Sequence, residues 1–187
     1  MNKYKYNHQC AWFLGSEIKS DLIKYVNPYV KHSILEIGSY EGLSACFFSD
    51  NFLWHDETKL TCVDPFDLGD TTTPLLNTTK DNFLYNISVS NNSSKITFKN
   101  DYSNNFFKTN RDFYDIVYID GSHVVDDIWL DMNETDKVLD KGGIMWLDDY
   151  MGGDTGVIKN VMDKFYELNR DRYIIIHKGY QLGLRKI

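Results

Sequence analysis

Five short apolar runs, each stopped by glycine or by an acidic or amide residue, constrain this chain more than any other feature. They are Ser33 to Ile37 (SILEI), Lys59 to Val63, Lys95 to Phe98, Asp115 to Ile119 and Gly143 to Leu147. Near-continuous apolar runs of this length read as strands buried on both faces, the habit of parallel sheets. Segments of helical spacing lie between them: LSACFF after Gly42, about Leu75 to Val89, Val125 to Leu139, and a helix opened by Asp154 that runs through Leu168. A first amphipathic helix, Ser16 to Val26, places Ile18, Leu22, Ile23 and Val26 on one side and ends at Asn27-Pro28. Two closing strands, Tyr173 to Ile176 and about Gln181 to Arg185, are too close for a crossover helix and must form an antiparallel hairpin. The pattern predicts an α/β fold: a mostly parallel seven-stranded sheet, helices on both faces and an antiparallel end.

A chain of 187 residues with 42% hydrophobic content suits one well-buried core, so a single domain over 1–187 is expected, with 1–15 as an N-terminal extension. The net charge of −7 disfavours a phosphate backbone as partner and points to a small or neutral ligand, with no nucleic acid expected. Cys10, Cys46 and Cys62 lack metal-ligand spacing and read as reduced thiols. No apolar stretch matches a signal peptide or a membrane span, which predicts a soluble, cytoplasmic protein without membrane contact. The Asn-x-Ser/Thr triplets at Asn77, Asn86 and Asn133 carry little weight in so Asn-rich a chain. Oligomeric state is not legible; a homo-oligomer is compatible with everything here.

Ligands of open parallel sheets bind at the carboxyl ends of the strands. Here those ends read Glu36-Ile37-Gly38, Asp64, Asp101, Asp120 and Asp148-Asp149, an acidic rim. Gly38 and Gly42 allow a sharp turn and close backbone approach, with the next helix aimed at the ligand. A dinucleotide fingerprint is missing, because Tyr40 and Leu43 stand where its second and third glycines belong. Asp64, ending the second strand, is placed to accept hydrogen bonds from ribose hydroxyls, so the turn and Asp64 together favour a ribose-bearing ligand over an ordinary strand-to-helix turn. Two like charges 4 Å apart repel by roughly 4 kcal/mol, so carboxylates converging at Asp120, Asp148 and Asp149 must spread apart, shift a pKa or bind a cation. Oxygen-only ligation suits Mg²⁺; the alternative is that the aspartates cap turns. His123 falls in the first turn of a helix, where the dipole favours a neutral ring able to accept a proton. The polar loop Phe66 to Pro74 reads as a lid, and Tyr40, Phe66 and Tyr150 as pocket walls.

ILEIGSYEGLSACFF, CVDPF, DIVYIDGSHVVDDI and LDKGGIMWLDDY, in this order, resemble the class I S-adenosylmethionine-dependent methyltransferases. The likeness is greatest to small-molecule O-methyltransferases, including metal-dependent sugar O-methyltransferases, and spans roughly Glu17 to Arg185. It implies a Rossmann-like fold binding S-adenosylmethionine. Glu36 and Gly38 would lie under the methionine portion, backbone of Ser39 and Gly42 close to it, Asp64 on the ribose, and Asp101 and Tyr102 near the adenine. Asp120, Asp148 and Asp149 would ligate magnesium, His123 would act as base, and Asp120 would stand where cofactor, metal and reacting atoms meet. The acceptor would be a hydroxyl of a small molecule or carbohydrate. A metal-independent methyltransferase and a non-catalytic cofactor-binding protein are the alternatives. The middle glycine of the first motif is Tyr40 here, and only about fifteen residues precede the first helix, where larger relatives carry an auxiliary region that shapes the acceptor site.

Overall fold

The computed structural model describes residues 3–8, 11–67, 78–152 and 156–187. Its centre is a seven-stranded sheet ordered β3-β2-β1-β4-β5-β7-β6. β1 (Ser33–Ile37), β2 (Lys59–Val63), β3 (Ile96–Lys99), β4 (Tyr114–Ile119) and β5 (Leu139–Leu147) run parallel. β7 (Leu182–Lys186) pairs antiparallel with both β5 and β6 (Tyr173–Lys178), which is the hairpin the sequence predicts.

Period-two alternation sends each central strand's side chains to opposite faces. Ile34, Leu60, Cys62, Ile116, Tyr118 and Trp146 pack beneath α1 (Ile18–Asp21), α2 (Leu43–Asn51) and α3 (Thr79–Val89). Leu35, Ile37, Val117, Ile119, Met145 and Leu147 pack with residues of α4 (Ser103–Thr109), α5 (Val125–Val138) and α6 (Val157–Leu168). The chain enters the sheet at β1, moves outward through β2 and β3, then crosses back to β4 on the other side of β1. Strand order therefore reverses between β1 and β4, and in open α/β sheets the ligand crevice lies outside the carboxyl ends at such a point.

The parallel ladders carry on one residue past each strand. Asp64 N–H donates to Lys99 O at 3.1 Å, Asp120 N–H to Ile37 O at 2.8 Å and Asp148 N–H to Ile119 O at 2.9 Å. Asp64, Asp120 and Asp148 are thus fixed by the sheet itself before any side-chain contact acts on them.

The structure departs from the sequence reading in three places. The first helix is a single turn, α1, followed by a 3-10 turn at Leu22–Lys24; Ile18, Leu22 and Val26 are buried, but Ile23 is exposed. α4 has no counterpart in the sequence pattern: its only apolar pair, Phe106-Phe107, is too short to show a period. β5 begins at Leu139, directly out of α5, and not at Gly143. Leu139 pairs with Tyr114, the register then shifts, and Gly142 at φ +84° absorbs the extra chain as a bulge. Most of the expected lid, the start of the helix anticipated from Leu75, Asp154, Asn77 and Cys10 lie outside the described residues. No helix among the described residues is long and apolar enough to cross a membrane.

Candidate active site

The loop between β1 and α2 is shaped by backbone contact. Gly38, at φ +84°, packs against the chain leaving β4, and a Cβ there would stand 2.0 Å from the Asp120 carbonyl oxygen. Gly42, at φ +81°, caps α2, and its Cβ would meet the Phe83 ring at 2.9 Å. Beneath the loop Glu36 is fully buried; Ser39 Oγ donates to its Oε2 at 2.5 Å, while Oε1 has no hydrogen-bond partner. Burial raises the Glu36 pKa against the opposing pull of the Ser39, Ser44 and Cys62 side chains.

Asp64, at the end of β2, binds this loop. Its Oδ2 accepts the backbone N–H groups of Ser39 and Tyr40, both at 2.8 Å, and its Oδ1 accepts that of Phe66 at 2.6 Å. One carboxylate therefore fixes the glycine turn and the start of the next loop. Asp101 Oδ1 accepts from Tyr102 N–H and Asn105 Nδ2 at the head of α4, and Tyr102 OH reaches Asp67 Oδ2 at 3.0 Å. Tyr102 thus joins the chain after β3 to the chain after β2 above the same crevice.

Non-glycine residues with positive φ are Tyr40, Phe66 and Asp149 among the described residues. All three sit at this rim, where strained backbone is commonly retained for function.

At the ends of β4 and β5 the aspartates gather around a residue the sequence reading passed over. Tyr118, fully buried, lies two positions before Asp120 and so on the same side of β4. Its OH stands 3.0 Å from Asp120 Oδ2 and 2.8 Å from Asp148 Oδ2. One phenol proton cannot satisfy two carboxylates. Desolvation and the Asp148 charge push the Asp120 pKa well above the usual carboxylate range. Asp148 Oδ1 accepts from the Gln181 amide at 2.7 Å and from Asp149 N–H at 2.9 Å.

Asp149 points elsewhere. Its Oδ2 lies 2.8 Å from His123 Nε2 and its Oδ1 accepts from Tyr180 OH at 2.5 Å. The two bonds hold the Asp149 pKa below its ordinary value despite partial burial. His123 precedes α5, with its side chain 66% exposed. The hydrogen bond that His123 donates to Asp149 raises its pKa, opposite in sign to the effect expected of the helix N-terminus. A helix N-terminus is worth about 0.3–1 kcal/mol, less than a carboxylate in direct contact. A hollow of about 20 Å³, room for one water, lies among Asp120, His123, Asp148 and Asp149 above Ile128 and Met162.

Asp120 and Asp148 share the Tyr118 hydroxyl, Asp148 is also held by Gln181, and Asp149 is held apart by Tyr180 and His123. No group of three or more His, Cys, Asp or Glu side chains able to hold a metal ion occurs among the described residues. The donors expected for magnesium are therefore brought close together but arranged for hydrogen bonding.

Of the expected pocket walls, Tyr150 is buried, its OH donating to Asp163 Oδ1 at 2.8 Å, and does not line the crevice. Tyr40 has the Trp12 ring tilted against it at 5.4 Å, and Trp12 is 69% exposed. Phe66 packs on Phe83 at 5.1 Å. Trp12, Tyr180 and Gln181 lie far from the recognised motifs; only a glutamine directly before the run Leu182-Gly183-Leu184 marks the last.

A family model described as a methyltransferase domain matches residues 35–150, which hold all of the rim described above. A search of curated proteins finds no match. Among solved structures, a protein from Clostridium thermocellum proposed to be an rRNA methylase is 17% identical, with a TM-score of 0.65 over 92% of this chain and 100% of that one. The O-methyltransferase TomG from Streptomyces achromogenes, of tomaymycin synthesis and solved with S-adenosylmethionine, is 15% identical, with a TM-score of 0.65 over 92% and 80% of the two chains. The TDP-rhamnose 3′-O-methyltransferase CalS11 is 13% identical, with a TM-score of 0.63 over 96% and 81%. At such identities the likeness is one of fold.

Proposed function

The chain belongs to the methyltransferase domain family, and from that membership we propose that it transfers a methyl group from S-adenosylmethionine to a hydroxyl of a small molecule, with His123 as general base. The observation that carries the reading is the His123–Asp149 contact, 2.8 Å long, standing on the same rim as the glycine turn and Asp64.

The cofactor half rests on a fit of this chain's own groups. The Gly38 turn admits no side chain, Glu36 Oε1 is buried without a partner below it, and Asp64 ends the second strand beside it. Glu36, Gly38, Ser39 and Gly42 would hold the methionine end, Asp64 the ribose, and Asp101 and Tyr102 the adenine. S-adenosylmethionine, when bound, supplies an electrophilic methyl whose leaving thioether needs no acid. The protein's tasks are then to orient the acceptor oxygen and to remove its proton. His123 can do the second: Asp149 fixes the ring and stabilises the charge it gains, and its exposed side chain is open to an acceptor from solvent.

The charge of −7 favours a neutral or cationic acceptor over nucleic acid, and the fold it shares with CalS11 makes a sugar hydroxyl one candidate. A magnesium-assisted reaction is the second reading, favoured by the crowding of Asp120 and Asp148 on one phenol, which a cation would relieve. It requires these side chains to leave their present partners.

Calorimetry with S-adenosylhomocysteine on wild type and Asp64→Ala tests the cofactor half; no heat of binding to wild type removes the whole proposal. Methyl transfer to a panel of hydroxylated small molecules, with His123→Ala and with EDTA, tests the rest. Loss of the base is expected to slow turnover by on the order of 10²-fold or more with binding retained. Unchanged turnover removes His123, and abolition by EDTA selects the magnesium reading.

A further inference from the structure

Two consecutive residues of the β6–β7 hairpin grip the two consecutive aspartates that end β5. Tyr180 OH donates to Asp149 Oδ1 at 2.5 Å, and Gln181 Nε2 donates to Asp148 Oδ1 at 2.7 Å. The hairpin is itself clamped. Met151 N–H donates to Tyr180 O at 3.0 Å, Gln181 N–H to Glu17 Oε2 at 2.9 Å, and a Cβ on Gly179 would stand 2.5 Å from the Glu17 carboxylate. The Tyr180 ring thus hangs from a fixed backbone, though it is 48% exposed.

Asp149 needs such a hold. Its backbone is left-handed at φ +54°, a conformation costing a non-glycine residue about 1–2 kcal/mol, and one face of its carboxylate meets the hollow beside Asp120 and Asp148. With His123 as its only side-chain partner, the carboxylate could rotate about Cβ and leave the ring. Tyr180 takes the opposite oxygen and fixes both torsions. Gly152 completes the arrangement: its N–H donates to Asp149 O at 2.8 Å, and a Cβ there would stand 2.8 Å from Asp149 Oδ1 and 3.0 Å from the Tyr180 oxygen. The space around the Tyr180–Asp149 bond thus admits hydrogen only.

We infer that Tyr180 is a positioning residue for the reaction, acting through Asp149 to hold the His123 ring in line with the acceptor. The inference rests on the reading of His123 as base. It places in the working site a hairpin that lies beyond residues 35–150 and carries no recognised motif. The charged and titratable groups about His123 are Asp149 in contact and Asp148 behind it, with Tyr180 and Asp120 on the far side of the aspartates.

The test is Tyr180→Phe, an exposed-site change that keeps the ring, with Gly152→Ala as an independent route to the same bond. The His123 titration midpoint is read by NMR, S-adenosylhomocysteine affinity by calorimetry, and methyl transfer on the best acceptor of the panel. If Tyr180 positions Asp149, both variants let the carboxylate swing away; the midpoint falls toward that of a free histidine, kcat drops on the order of tenfold and cofactor affinity stays within about twofold. If Tyr180 is only a neighbour, removing its donor leaves Asp149 in place and more basic, and the midpoint stays or rises, which overturns the inference. A fallen midpoint with unchanged kcat would instead sink His123 as base and leave the positioning geometry standing.

Discussion

Gly38 and Asp120 meet backbone to backbone: a Cβ built on Gly38 would stand 2.0 Å from the Asp120 carbonyl oxygen, and Asp120 N–H is in turn bonded to Ile37 O at 2.8 Å. The β1–α2 turn and the chain leaving β4 are thus in contact through main chain, with no side chain free to yield. Gly38→Ala combines a left-handed conformation with a backbone clash, so a loss of about 3 kcal/mol or more is expected. Urea denaturation measures it, and S-adenosylhomocysteine binding should fall with it, because the Ser39 and Tyr40 amides held by Asp64 move with the turn.

The pH dependence of methyl transfer follows from the His123–Asp149 contact. A general base works unprotonated, and Asp149 raises the His123 pKa above 6.5. The rate should therefore climb with pH through a midpoint above that value. Asp149→Asn removes the charge, so the midpoint should move down while the plateau rate falls, since a weaker and less well-oriented base remains. A pH–rate profile on both proteins checks this; a midpoint that does not move would mean that another group titrates.

The strands were legible because burial on both faces leaves little sequence choice: SILEI and KLTCV match β1 and β2 residue for residue. Asp64, Asp120 and Asp148 are legible for the same reason, each being the first polar position after an apolar run. What the sequence could not show is who partners whom. Tyr118 looks like core until its hydroxyl is seen between two aspartates, and Tyr180 reaches Asp149 across 31 positions of chain. The helix position of His123 carries no sign of that distant carboxylate, whose contact raises the ring's pKa. Two adjacent phenylalanines carry no helical period, so α4 leaves no mark in the sequence, and Gly142-Gly143 reads as a turn between elements when it is a bulge within β5.

Asp131 gives a stability prediction apart from the chemistry. It is 2% exposed on α5, its Oδ1 has no partner, and burial pushes its pKa up to about 6 against the pull of a Ser103 hydrogen bond. A folded pKa above the unfolded one means that the group's contribution is fully present below about pH 4 and is lost as pH rises through about 6. That change is worth on the order of 3 kcal/mol. Asp131→Asn keeps the shape without the charge, and should be more stable than wild type by roughly 2 kcal/mol at pH 8 while losing that advantage near pH 4. Denaturant unfolding at the two pH values decides it.

Gln181 offers the sharpest test of how the rim is held. It is fully buried; its Oε1 accepts from Ile18 N–H at 2.7 Å and Trp146 Nε1–H at 2.9 Å, and its Nε2 donates to Ser16 Oγ at 2.6 Å and Asp148 Oδ1 at 2.7 Å. Two N–H donors on one side fix which end of the amide is oxygen, so all four bonds are satisfied in a single orientation. Gln181→Leu keeps most of the volume and strands both N–H groups in an apolar core. At about 1–3 kcal/mol for each unsatisfied buried group, a loss of roughly 3–5 kcal/mol is expected, far above what an ordinary surface change costs. Gln181→Glu separates the two halves of the amide: it can still accept from Ile18 and Trp146 but sets a carboxylate against Asp148. It should be nearly as damaging at pH 8 and regain much of the loss near pH 5, where the new carboxyl protonates and can donate to Asp148. The N-terminal segment gives a second readout. Ser16 and Ile18 hang on this amide while Trp12 lies over Tyr40, so limited proteolysis before Ile18 should accelerate in Gln181→Leu. Cleavage at the wild-type rate, with full stability, would mean that the segment is held by Glu17 and its bonds to His177 and Gln181 N–H alone.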